Sequence, residues 1–81
     1  MTNRELYGAS SCQQTSELRE WLEWKGYSFI EYDVEADQEA FDRMRALTGG
    51  QRLAPVLVED GKVACVGWQG RGCVVGPPSL P

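Results

Sequence analysis

Asp60-Gly61 stands between two apolar runs, Pro55 to Glu59 and Lys62 to Val66. Both residues tolerate the positive φ angles of a type I′ turn, so the dipeptide predicts an antiparallel hairpin with the two runs as its arms. Upstream, Arg4 to Gly8 is a short strand-like segment that ends in the turn-rich run Gly8-Ala9-Ser10-Ser11. A helix is predicted from about Gln13 to Lys25. Leu18, Trp21 and Leu22 fall at i, i+3 and i+4 on one face, and Lys25 followed by Gly26 is a stop signal. Tyr27 to Val34, with Phe29, Ile30, Tyr32 and Val34, reads as a strand. Asp37 is the predicted N-cap of a second helix reaching about Thr48. Ala40, Phe41, Met44 and Leu47 form its apolar stripe and Gly49-Gly50 ends it.

The order is β-α-β-α-β-β. Its first βαβ unit is expected to be parallel with a right-handed crossover, and its last pair antiparallel. A four-stranded mixed sheet with two helices, an α/β fold, fits an 81-residue chain read as one domain over 1–81. From Gly67 the chain is rich in glycine and proline and no helix is predicted, so residues 70–81 read as a tail.

A net charge of −4, with eight basic residues dispersed along the chain, argues against nucleic acid as a partner. No run approaches the ~20 apolar residues that cross a bilayer. The N-terminal residues enter the first strand without a signal-like apolar region, which points to the cytoplasm. In that compartment a cysteine is more often inert core or catalytic than part of a structural bridge. Cys12, Cys65 and Cys73 are an odd number and cannot all pair, and the absence of histidine removes Cys₂His₂ zinc sites and Cys-His nucleophilic pairs. The sequence specifies no oligomeric state.

Three segments together resemble the glutaredoxins, a branch of the thioredoxin fold. These are Tyr7 to Thr15, containing Cys12-Gln13-Gln14-Thr15; Thr48 to Pro55, with Arg52 three residues before Pro55; and the Val56 to Val66 hairpin followed by glycines. The resemblance implies a thioredoxin-like, glutaredoxin-like fold, β-α-β-α-β-β, whose usual C-terminal helix is reduced or absent. It also implies a redox-active Cys12 working on small thiols or protein disulfides, with no required cofactor and glutathione as a possible co-substrate. A narrower similarity, in Gly49 to Arg52 and Pro55 to Val63, is to the bacterial glutaredoxin-like family called UXX-star. Its members carry selenocysteine or cysteine at the first active-site position and often threonine three residues later.

The sequence also departs from the glutaredoxin pattern. Thr15 replaces the second cysteine of the motif, so no bridge can close within it. Ala9 stands where many glutaredoxins have a lysine, Leu53-Ala54 replaces Thr-Val, and Gly67-Trp68-Gln69-Gly70 replaces the Asp-Asp pair that meets the glutathione amino group.

The catalytic candidates are Cys12, Thr15 and Cys73. Cys12 sits where the loop enters the first helix, and the unpaired amides of a helix start favour a thiolate. The polar residues on both sides predict that it is open to solvent. Thr15, on the same helix face, either donates a hydrogen bond to that thiolate or bonds its own helix backbone. Cys73 is either a resolving thiol or an incidental surface cysteine, and Cys65, alternating with Val63, reads as core. The substrate or glutathione side comprises Gln13, Arg52, Ala54 and Pro55. Arg52 is a carboxylate clamp or a solvated arginine. The resemblance implies a cis Pro55, with the Ala54 backbone pairing to a bound peptide or glutathione, although trans is the default for an X-Pro bond. Trp21 and Trp24 read as packing, and Trp68 as either packing or binding platform. The alternatives to a monothiol oxidoreductase are an iron-sulfur or glutathione-binding module, with one Cys12 from each of two chains, and a non-catalytic interaction protein of the same fold.

Overall fold

The computed structural model describes residues 2–77. Along the chain lie β1 (Arg4–Gly8), α1 (Gln13–Trp24), β2 (Ile30–Asp33), α2 (Gln38–Thr48), β3 (Leu53–Ala54), β4 (Val56–Glu59), β5 (Lys62–Val66) and β6 (Cys73–Val74). Four strands form one sheet in the order β2-β1-β4-β5. β1 and β2 are parallel, while β1 with β4 and β4 with β5 are antiparallel. This is the thioredoxin-like architecture expected from the element order. β3 and β6 add a second, two-stranded sheet that the element order did not predict.

The local signals act as their chemistry requires. Asp60 and Gly61 turn the hairpin with φ of 52° and 80°. The Asp37 carboxylate accepts the Ala40 amide at 3.2 Å and caps α2, and Gly49 takes the left-handed conformation at its other end. α1 ends differently. Gly26 N–H donates to Glu23 O and Tyr27 N–H to Leu22 O, both at 3.0 Å, the paired bonds of a Schellman motif. That cap uses Tyr27, which is why β2 starts at Ile30, three residues later than expected.

Each face of the sheet has its own core. On one, Leu6 and Leu57 pack against Leu18 and Leu22 of α1, with Trp21, Phe29, Cys65 and Trp68 at the margin. On the other, Tyr7, Val56 and Val58 meet Ala40, Phe41 and Met44 of α2. Ala9, Cys12, Ala54 and Val75 continue this second core. Trp21 packs as predicted, 5.4 Å from the Trp68 ring. Trp24 does not, because it lies on the outer side of α1 and is 79% exposed. No helix of the described residues is long and apolar enough to cross a membrane.

Candidate active site

β1 ends at Gly8, and the chain turns through Ala9 to Ser11 before α1 begins. Cys12 is the N-cap residue of α1, extended at φ −92° and ψ 117°, and its amide donates to Ala9 O at 3.1 Å. The turn is fixed by Thr15. This fully buried hydroxyl accepts the Ala9 amide at 3.3 Å, a contact outside its own helix that ties the loop to the first turn of α1. Gly8 leaves the space for it, because a β-carbon on Gly8 would overlap the Thr15 methyl and approach its hydroxyl within 2.8 Å. Thr15 is therefore a positioning residue for the loop that carries Cys12.

Cys12 is disulfide-bonded to Cys73, 61 residues away in sequence, with Cα atoms 5.9 Å apart. The chain reaches back to make this bond through the loop after β5. Trp68 and Arg71 bridge across that loop, with Gly67 and Gly70 at φ of 81° and 78°. β6 then lies antiparallel to β3, with Cys73 opposite Ala54 and Val74 opposite Leu53. The expectation that Cys12 is open to solvent fails. It is only 2% exposed, because Cys73 and its strand cover it from a distance that the flanking residues do not register.

Ala54 O lies 3.8 Å from the Cys12 sulfur, and the side-chain oxygen of Gln14 lies 3.8 Å from Cys12 Sγ and 3.3 Å from Cys73 Sγ. Disulfide sulfurs carry no proton, so these are contacts and not hydrogen bonds in the oxidised form. On reduction the same carboxamide can accept from a thiol or, turned over, donate to a thiolate. The Ala54-Pro55 bond is cis.

Residues 5–64 match the family model described as Glutaredoxin. The chain belongs to the glutaredoxin family. A probable glutaredoxin of Synechocystis sp., slr1562, is 35% identical over 57 residues, which cover 69% of this chain and 52% of that protein. The chain thus spans about half the length of the curated relative it matches. A variant of the thioredoxin-like protein BC3987 superposes with a TM-score of 0.74 at 28% identity, over 85% of this chain and 86% of that one. The glutaredoxin grx-1 of Archaeoglobus fulgidus shares the fold, with a TM-score of 0.68 at 21% identity over 85% and 78% of the two chains.

The other candidates of this glutaredoxin-family site fall into two groups. Ala54 and Pro55 are buried, and the Ala54 edge is paired to Cys73 of β6, whereas the resemblance implies an Ala54 backbone open to a bound peptide or glutathione. Gln13 and Arg52 are exposed. Gln13 donates to Glu17 at 3.3 Å along the helix and does not meet the sulfurs, whereas its neighbour Gln14 does. Gln14 is the residue that sequence reasoning missed, since nothing in the sequence separates it from Gln13. The Arg52 side chain makes no ion pair among the described residues, while its carbonyl accepts the Val75 amide at 2.8 Å. Cys65 is the one free cysteine. It packs at the margin of the α1-side core, partly buried, and burial pushes its thiol pKa up.

Proposed function

We propose that the protein is a thiol-disulfide oxidoreductase that cycles between a Cys12/Cys73 dithiol and the disulfide. Cys12 acts as the attacking thiol and Cys73 as the resolving one. The observation that carries this reading is the bond itself. Thr15 leaves the motif without a second cysteine, and the β3/β6 pairing brings one to Cys12 from 61 residues away. On reduction, Cys12 is left at the start of a 12-residue helix, whose unpaired amides favour its thiolate and make it the better nucleophile and leaving group. Substrates are small thiols or protein disulfides, and the cytoplasm, with its thiol reductants, is the setting that would return the pair to its active form.

Deglutathionylation through Cys12 alone is a second reading. It is favoured by the exposed Arg52, a cation next to β3 with no carboxylate partner among the described residues. The similarity to the UXX-star family supports the same centre, with Cys12 as the cysteine form of a position that relatives fill with selenium. A cluster-binding role would need Cys12 free, and the oxidised chain commits it to Cys73.

The test is turnover of a protein disulfide with dithiothreitol as the reductant. Cys12→Ser should abolish turnover and Cys65→Ser should leave it unchanged. Before dithiothreitol is added, reduced Cys73→Ser should hold the substrate as a mixed disulfide on Cys12, where the parent protein releases it. Full turnover by Cys12→Ser would sink the proposal. Unimpaired, untrapped turnover by Cys73→Ser would favour the one-thiol reading.

A further inference from the structure

All three tryptophans of the chain stand at one cleft, and the thiol chemistry uses none of them. Trp21 and Trp24 come from α1 and Trp68 from the reversal after β5. With Glu17, Glu20 and Gln69 they line a cavity of 430 Å³. Trp21 is its fixed wall, with its ring 5.4 Å from that of Trp68 and 6.0 Å from that of Tyr27. Trp24 is the opposite case, because the fold leaves 79% of it exposed. A lone apolar side chain at a surface is ordinary, but this one shares its cleft with two further indoles.

The cleft is also negative. Glu20 is exposed and Glu17 half-buried, and neither forms an ion pair among the described residues. Glu17 accepts only a 3.3 Å hydrogen bond from the Gln13 side chain. The indoles already meet one cation of the chain. Lys25 Nζ stands 5.6 Å from the Trp21 ring centroid and 5.7 Å from that of Trp24, within the ~6 Å reach of a cation–π contact. Lys25 pairs with neither glutamate, and no cation meets the Trp68 ring among the described residues.

We infer that this cleft docks an arginine side chain of a partner polypeptide. A guanidinium is flat, stays charged, stacks on aromatic faces and offers forked donors to carboxylates, so one group satisfies the indoles and the glutamates together. The compact, strongly hydrated ammonium of lysine stacks less well. A polypeptide surface around that arginine also covers Trp24, which a small cation would leave in water. Tryptophan and arginine are side chains on which protein interfaces concentrate their binding energy. The net charge of −4 favours the approach of a basic partner surface.

The cleft stands apart from the reacting sulfurs. Glu17 to Trp24 lie about 8–18 Å from Cys12 along the axis of α1. Trp21 and Trp68 border the α1-side core, whereas Cys12 and Cys73 belong to the α2 side. Trp68 nevertheless opens the reversal that returns Cys73 to Cys12. A partner held here lies against the segment that carries Cys73, while the disulfide stays on the other face of the sheet.

The test is titration of the nitrogen-15-labelled protein with acetyl-Gly-Leu-Arg-Leu-Gly-amide, read at the three indole N–H signals. Trp24→Phe and Trp68→Phe assign them. The three signals should move together and saturate with a Kd in the millimolar range. Peptides with lysine or with citrulline, the neutral isostere of arginine, should both bind more weakly. For citrulline the loss should be about fivefold, the scale of one cation–π contact. Trp24→Ala and Glu20→Gln, both at exposed positions, should each weaken the arginine peptide by a similar factor. An arginine peptide bound no more tightly than either of the others overturns the inference. So does the absence of saturation at millimolar concentrations, or binding unaltered in both variants. None of these readouts involves a thiol, so each such failure leaves the redox reading standing.

Discussion

Gly8 and Thr15 are packed so closely that the missing glycine side chain is part of the fit: a β-carbon on Gly8 would occupy the space of the Thr15 methyl. The clash would fall between Gly8 at a strand end and Thr15 in the first turn of α1, both buried, so it cannot be relieved by a surface rotamer. Gly8→Ala should cost about 1–3 kcal/mol, the usual range for overpacking. Thr15→Val, nearly the same shape, should cost about 1–3 kcal/mol by leaving the Ala9 amide without its acceptor. Thr15→Ser should recover much of that loss. Urea denaturation of the four proteins checks these values, and a Thr15→Val protein as stable as the parent would show that the hydroxyl is dispensable.

The covalent link between Cys12 and Cys73 has a stability consequence as well as a chemical one. It closes a loop spanning 61 positions, for which the chain-entropy model gives about 4 kcal/mol. For a chain of this size that is a large share of the total. Dithiothreitol should lower the urea midpoint of the parent protein markedly and leave that of Cys12→Ser unchanged. Equal midpoints with and without reductant would mean that β6 is held by packing alone.

Asp37 caps α2 through a single bond to the Ala40 amide. Asp37→Ala should cost about 1 kcal/mol, and Asp37→Asn, which keeps an acceptor at the same place, much less. Thermal melts of the two variants side by side would reveal a cap of no consequence if they coincide.

Cys65 sets a pH dependence. Burial, followed by the charge of Glu59, raises its thiol pKa, while a hydrogen bond with the Leu57 backbone opposes them. The folded state thus favours the neutral thiol, and the unfolded chain releases this proton first. Stability is fully present below the ordinary thiol range and falls as the pH rises through it. Tyr7, also raised by burial, adds a loss of the same sign at higher pH. In the oxidised protein, alkylation should modify Cys65 alone, with a pH midpoint above that of a cysteine peptide. A midpoint at or below the peptide's would show that burial does not protect it.

Most of the framework could be read from short-range signals. The Asp60-Gly61 turn, the Asp37 cap and Gly49 each depend on a few neighbouring residues, and the elements they bound lie where expected. β3 and β6 were not legible, because two-residue strands show no periodicity and their pairing joins Ala54 to Cys73 across the whole hairpin. The same long reach hid the partner of Cys12. Three cysteines allow three pairings, and the choice is made by the reversal between Gly67 and Gly72, which in sequence is only a glycine-rich stretch. That reversal also covers Cys12, against the polarity of its neighbours. Whether Gln13 or Gln14 meets the sulfurs depends on the rotation of the first helical turn, to which a pair of identical residues gives no clue.

The two cores, one on each face of the sheet, divide the three thiols. Cys12 and Cys73 belong to the α2 side and Cys65 to the α1 side. The hydrogen-bonded strands between them act as a wall. For Cys65 to trade places in the bridge, β5 would have to leave β4 and turn over, breaking its whole ladder with that strand. The native pairing is thus proofread by the sheet: while the chain is folded, scrambling is blocked by topology and not by reactivity.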